Sequence, residues 1–142
     1  MRYVLGFMFD YSAKKVLLIK KRRPPFQEGL YNGIGGCVEE GERPEITMVR
    51  EFEEKTGIWC TSWEWAATIL PECGIITCYT AVGNIDKART MTDEIVSSWY
   101  VDKLPPGRVD SLSWLVPLAK DRLSSNKAYT IYESLADSNC DE

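Results

Sequence analysis

The pattern of apolar and polar positions divides the chain into strand-like and helix-like segments. Tyr3 to Phe9 and Val16 to Ile19 are apolar runs separated by Asp10-Tyr11-Ser12-Ala13-Lys14-Lys15, which predicts two strands joined by a short polar connection. Lys20 to Tyr31 then reads as a loop, with four consecutive cations and Pro24-Pro25, and a glycine-rich stretch, Gly33-Ile34-Gly35-Gly36, leads to Val38 and a turn at Glu40-Gly41-Glu42. From Pro44 to Thr56 the pattern predicts a helix. Proline suits a first turn, where its missing N–H has no helical partner, and Gly57 stands where a left-handed cap belongs. Ile46, Val49 and Phe52 are the expected buried stripe of that helix. Strand-like runs follow at Thr61 to Leu70, Ile75 to Val82 and Ile95 to Val101, then a second helix at Leu112 to Leu123 and a tail expected to fray at Ser138-Asn139-Cys140-Asp141-Glu142. Strands, helix, strands, helix in that order imply a mixed sheet covered by helices.

Composition narrows the chemistry. A chain of 142 residues with 44% apolar and 27% charged positions is long enough for one domain to bury its own core. With no repeat, low-complexity block or linker, residues 1–142 are expected to form a single domain. The net charge of −4 offers no extended basic face for nucleic acid, so phosphates would be met by local cations or bridging metals. No run approaches the roughly 18 apolar residues of a membrane span. The start, Met1-Arg2-Tyr3-Val4-Leu5-Gly6, lacks the form of a secretory signal, and the cysteines at 37, 60, 73, 78 and 140 include no C-x-x-C pair. A cytoplasmic setting without a disulfide scaffold or zinc site is the expectation. Histidine is absent, so any catalysis rests on carboxylates, Lys, Tyr, Cys or a metal-bound water.

The helix at Pro44 to Thr56 holds the chemistry. Glu51 and Glu54, three apart, share one face, while Glu53 points roughly the other way. Two converging carboxylates repel unless a proton or cation lies between them. Upstream, Gly35 and Gly36 let bare backbone approach a ligand. Hard oxygen donors of this kind suit Mg²⁺ or Mn²⁺, which bridge to substrate phosphates. Singly, the acidic face reads as solvated surface and the glycines as a turn. Their fixed spacing makes the combination specific.

Gly36-x5-Glu42-x7-Arg50-Glu51-Phe52-x-Glu54-Lys55-x-Gly57-Ile58 resembles the Nudix box, G-x5-E-x7-R-E-U-x-E-E-x-G-U. The resemblance implies an α/β/α sandwich with a mixed sheet and hydrolysis of a nucleoside diphosphate-linked substrate. In the family, divalent cations neutralise the phosphates and activate water, in keeping with a reaction that depends on positioning and charge neutralisation. Carried over by position, Glu51 and Glu54 would be metal ligands, one of them assisting deprotonation of water, and Gly35 would offer its carbonyl to a metal. Arg50 would orient a box glutamate and Glu42 would brace the loop. Glu94, in Thr92-Asp93-Glu94, would supply the further carboxylate that many members draw from that loop.

One box position departs: Lys55 stands where the family has a second adjacent glutamate. About 40° around the helix from Glu51, its ammonium would lie near the metal face, where it would repel a second or third metal, partly substitute for one by neutralising substrate phosphate, or snorkel into solvent. Fewer metals with activity kept, compensation by Glu94 or Asp93, and loss of catalysis are all open outcomes.

Gly29 to Gly36, with Thr92-Asp93-Glu94 and Trp114-Leu115-Val116-Pro117-Leu118, resembles the oxidised-purine nucleoside triphosphatase branch. On that resemblance Asn32 is the candidate base contact, since an amide pairs with both a donor and an acceptor, and Asp110 is a weaker one. Asn32-Gly33 is equally a turn dipeptide. Tyr31, Trp99 and Trp114 are candidates to stack on a base, or core aromatics. Within Lys20-Lys21-Arg22-Arg23, Lys21 and Arg22 are candidate phosphate contacts beside Gly36, although charge runs are usually solvated. The leading expectation is a Mg²⁺- or Mn²⁺-dependent enzyme that splits a nucleoside triphosphate into monophosphate and pyrophosphate. The alternatives are a dinucleotide or nucleotide-sugar pyrophosphatase, and a nucleotide-binding module whose catalysis Lys55 weakens.

Overall fold

The computed structural model describes residues 1–71 and 73–133. Eight strands, β1 (Arg2–Phe9), β2 (Lys15–Lys20), β3 (Tyr31–Asn32), β4 (Ile34–Cys37), β5 (Glu64–Leu70), β6 (Ile75–Val82), β7 (Val96–Tyr100) and β8 (Tyr129–Tyr132), form one sheet. Its path runs β3-β2-β1-β6-β5-β8, with β4 against β1 and β7 against β2. The β1–β6 and β5–β8 pairs are parallel and the rest antiparallel, so the sheet is mixed.

Helix α1 (Pro44–Thr56) packs with one set of sheet side chains and α2 (Leu112–Asp121) with the other. The period-two geometry of a strand makes this possible. On β1, Val4 and Met8 join Met48 and Phe52 of α1, while Phe7 and Phe9 join Leu112, Leu115 and Val116 of α2. On β2, Leu17 and Ile19 serve the first core, Val16 and Leu18 the second. A sheet buried on both faces reads as near-continuous apolar runs, which is the form these two segments have. The result is an α/β/α sandwich.

The sequence pattern finds α1 but misassigns its buried face. Thr47, Met48, Phe52 and Thr56 are its buried residues, whereas Ile46 is exposed and Val49 only half-buried. The i, i+4, i+8 series Met48, Phe52, Thr56 is equally compatible with helical spacing, and tertiary packing selects it. Gly57 closes the helix in the left-handed region, φ 78°, its N–H donating to the Glu53 carbonyl at 2.9 Å. Strands β3, β4 and β8 escape the pattern because they are short, and β4 spends two of its positions on glycine. The predicted second helix ends two residues early, at Asp121, and continues as a 3₁₀ turn over Arg122–Ser124. Cys37, Cys60 and Cys78 are free thiols, while Cys73 is disulfide-bonded. No helix among the described residues is long and apolar enough to cross a membrane. The tail at Ser138-Asn139-Cys140-Asp141-Glu142 lies outside the described residues.

Candidate active site

The site forms where β4, α1, the end of β2 and the segment before β7 meet. Pairing of Leu5 with Gly35 and Val4 with Gly36 lays β4 along β1, beneath α1. Gly36 leaves room for Glu51: a Cβ there would fall 2.3 Å from the Glu51 carboxyl carbon. Two backbone hydrogen bonds tie the segment carrying Glu94 to the helix end, Arg89 N–H to the Thr56 carbonyl at 2.9 Å and Met91 N–H to the Lys55 carbonyl at 3.3 Å. A third, from Lys20 N–H to the Ile95 carbonyl at 2.8 Å, brings the basic run of Lys20 to Arg23 alongside it.

Arg50 organises the box carboxylates. Its Nε and Nη2 donate to the two oxygens of Glu42 at 2.8 and 2.9 Å, a bidentate pair. Its Nη1 donates to Glu51 at 3.0 Å and to Glu54 at 3.3 Å. Thr47 Oγ1 and the Glu39 N–H add hydrogen bonds to Glu42 at 2.8 and 3.2 Å. The Arg50 and Thr47 hydrogen bonds hold the Glu42 carboxyl down to about 2. Glu42 in turn raises the Arg50 guanidinium, against the effect of burial, with Glu51 and Glu54 assisting.

Lys55 does not snorkel into solvent. Its ammonium donates to the Gly35 carbonyl and lies 3.6 Å from Glu51 and 4.0 Å from Glu94. The side chain is only 16% exposed. Glu94 is more enclosed still, 3% exposed at its side chain, with Lys21 at 3.6 Å, Arg23 at 3.9 Å and the Arg22 N–H donating at 2.7 Å. Burial alone would raise the Glu94 carboxyl, but the Arg22 N–H and the charges of Lys21 and Lys55 outweigh it and keep the group below its usual range. Lys21 is lowered, first by its own burial and then by the like charge of Lys55.

Among the expected residues, Gly35, Gly36, Arg50, Glu51 and Glu94 therefore come together, with Lys21 beside them. Glu54 joins only through Arg50 and is 55% exposed. Arg22 takes part through its backbone, its side chain facing solvent with the rest of an exposed residue. Asn32 turns its amide inward on its own loop, accepting from Gly33 N–H at 2.8 Å and donating to Gln27 at 3.4 Å. Asp110 is exposed before α2, and among the described residues no ion pair joins it to the cluster. Tyr31 and Trp99 pack on each other edge to face, centroids 5.1 Å apart. Two participants were not singled out in the sequence, Arg23, named only within its basic run, and Thr47. Arg23 clamps Asp93 at 2.6 and 3.2 Å, and its place in a basic run beside Lys21 was the available signal. Thr47 on Glu42 gave none.

The NUDIX domain family model matches residues 1–113. The chain belongs to the Nudix family. It is 33% identical over 76 residues to the methanol dehydrogenase activator of Bacillus methanolicus, covering 51% of this chain and 41% of that protein. It is 34% identical over 67 residues to the ADP-sugar pyrophosphatase of Mus musculus, covering 47% of this chain and 31% of that one. The chain thus spans less than half the length of these curated relatives. Among solved structures, the Nudix domain of Shewanella oneidensis NrtR complexed with ADP ribose superposes with a TM-score of 0.72 at 25% identity, covering 87% of this chain and 88% of that one. These relatives give no specific support to the oxidised-purine triphosphatase branch.

Nudix hydrolases generally use divalent metals such as Mg²⁺, and the donor set here fits one poorly. The Gly35 carbonyl, Glu51 and Glu94 surround an ammonium instead, and a divalent cation among them would lie against its like charge. Among the described residues no group of three or more Cys, Asp or Glu is placed to hold a metal.

Proposed function

We propose that this Nudix chain binds a nucleoside diphosphate-linked sugar of the ADP-ribose or ADP-sugar class and cleaves its diphosphate to two monophosphate products. The observation that carries the reading is the cluster of Lys55, Lys21 and Arg23 around Glu94, next to the Arg50-held Glu51. It offers cations to a diphosphate and a carboxylate to a water on the same face. The ADP-sugar pyrophosphatase relative and the ADP-ribose-bound structural neighbour support the substrate class. Residues 1–142 act as one domain in this reading, since α2, which lies almost wholly beyond the family match, completes the core on the second face of the sheet.

In the chain's own chemistry, Glu51 is the proton acceptor for the attacking water, fixed by Arg50 on one oxygen, while Lys55, Lys21 and Arg23 offset the charge that builds on the diphosphate. Asn32 remains the proposed base contact, and a bound purine would have to compete with Gln27 and the Gly33 N–H for its amide. A second reading, a nucleotide-binding module of weakened catalysis, is favoured by one observation: Lys55 takes the Gly35 carbonyl for itself. A panel of ADP-ribose, ADP-glucose, dinucleoside polyphosphates and nucleoside triphosphates tests the proposal. Preferential cleavage of the ADP-sugars is expected, whereas pyrophosphate release from triphosphates alone would return the chain to the triphosphatase branch.

A further inference from the structure

A Nudix chain with a lysine at the last acidic box position has two places to put its ammonium. It can extend into water, where it would matter little, or turn inward. Here it turns inward onto three oxygen-bearing groups from three separate segments: the Gly35 carbonyl of β4, the Glu51 carboxylate one helical turn back, and the Glu94 carboxylate of the segment before β7. Those are donors of the hard-oxygen kind that suits a divalent cation. Without a cation between them, Glu51 and the nearly enclosed Glu94 would repel an incoming phosphate as well as each other.

We propose that Lys55 supplies, as a fixed part of the chain, the positive charge otherwise brought by a divalent metal, and that this Nudix domain holds the diphosphate of its ligand without one. An ammonium has three donors. One is spent on Gly35, while the carboxylates lie at 3.6 and 4.0 Å, ion-pair distances too long for good hydrogen bonds, so two N–H groups are left for an anion. The charge count agrees. Lys55 and Lys21 offset the charges of Glu51 and Glu94, while Arg50 and Arg23 are shared with Glu42 and Asp93, so without Lys55 an incoming phosphate would meet an excess of negative charge. The ligand half of this inference rests on the proposed function; the metal half does not.

The test uses the intact chain and two probes, Mn²⁺ and ADP-ribose. Titration of the nucleotide-free protein with Mn²⁺, followed by the ion's electron paramagnetic resonance signal, should show no binding below the millimolar range. Lys55→Glu should create a Mn²⁺ site at least about tenfold tighter, since it replaces a repelling cation by a ligand. ADP-ribose affinity, measured calorimetrically, should be the same in excess EDTA as in Mg²⁺ for the wild type. For Lys55→Gln, which is one atom shorter, keeps an N–H donor and loses the charge, it should fall at least about tenfold in EDTA, the loss expected for a charge-assisted hydrogen bond. Micromolar Mn²⁺ binding by the wild type, or collapse of its ADP-ribose affinity in EDTA, would overturn the inference. If ADP-ribose fails to bind in either condition, the proposed substrate class is wrong, and the Mn²⁺ titration still decides the role of Lys55.

Discussion

The Lys55 ammonium lies 3.6 Å from the Glu51 carboxylate one helical turn before it, and the two side chains are 16% and 12% exposed. An i, i+4 ion pair on a helix surface contributes a few tenths of a kcal/mol. This pair differs because both ends continue into other contacts, Glu51 to Arg50 at 3.0 Å and Lys55 to Gly35 and Glu94. It joins the Arg50–Glu42 brace to the Glu94 pocket, and perturbing either member should be felt in both.

Glu51→Gln keeps the shape and removes the charge. Turnover of a nucleoside diphosphate sugar should fall at least about tenfold, the size expected for loss of a general base. Steady-state kinetics with ADP-ribose measure it, and near-normal kcat would remove Glu51 from the mechanism.

The two adjacent glycines should fail in different ways. The three atoms nearest an added Cβ at Gly36 all belong to the Glu51 carboxylate, the far end of a flexible side chain, so Gly36→Ala should leave the melting temperature nearly unchanged while lowering kcat about tenfold. At Gly35 the Cβ would fall 1.8 Å from the Val4 backbone oxygen on the paired strand, which cannot yield without breaking the β1–β4 ladder. Gly35→Ala should cost about 3 kcal/mol or more of stability. Chemical denaturation of both variants separates the effects, and equal destabilisation would refute the assignment.

Acid should expose the Arg50–Glu42 brace. Glu42 is held at about 2, against 4.5 for its ordinary value. A carboxyl lowered on folding stabilises the folded state above its unfolded pKa, and that contribution is lost as pH falls toward the folded value. The wild-type melting temperature should therefore decline between about pH 4.5 and pH 2, in part through Glu42. Glu42→Gln, which has no proton to take up, should start lower at pH 7 and show a shallower decline across that window. Parallel slopes for the two proteins would mean that Glu42 contributes nothing there.

Phe52 is the box residue that serves the core. It is fully buried, with its ring edge to face against Trp63 at 4.8 Å. Phe52→Ala should cost about 3–5 kcal/mol by the loss of apolar burial and the cavity left behind. Denaturant titration measures this, and a loss below about 1 kcal/mol would mean that the site collapses around the smaller side chain.

Legibility in the sequence followed physical range. Helix α1 was readable to the residue because its signals are local, Pro44 at the start and Gly57 at the end. The apolar runs of β1, β2 and β6 were readable because a strand buried on both faces stays apolar throughout. Strand β8 was not, since its four residues gain a partner only by parallel pairing with β5, far away in sequence. In the site, helical spacing put Lys55 near the metal face, yet its destination depended on the depth of the pocket made by Gly35 and Glu94. Asn32 was weighed as a base contact and as a turn residue, and its bond to the Gly33 N–H is of the second kind. Long-range closure decides such questions, and periodicity carries no information about it.

The measurement that bears most directly on the account is a phosphorus NMR time course of ADP-ribose with the wild-type chain and with Glu51→Gln. The diphosphate resonances of ADP-ribose should give way to those of AMP and a ribose phosphate with the wild type, and at least about tenfold more slowly with the variant. Diphosphate resonances that broaden on binding but never convert would contradict it, and would leave the chain a nucleotide-binding domain in which Lys55 has replaced the metal and ended the chemistry.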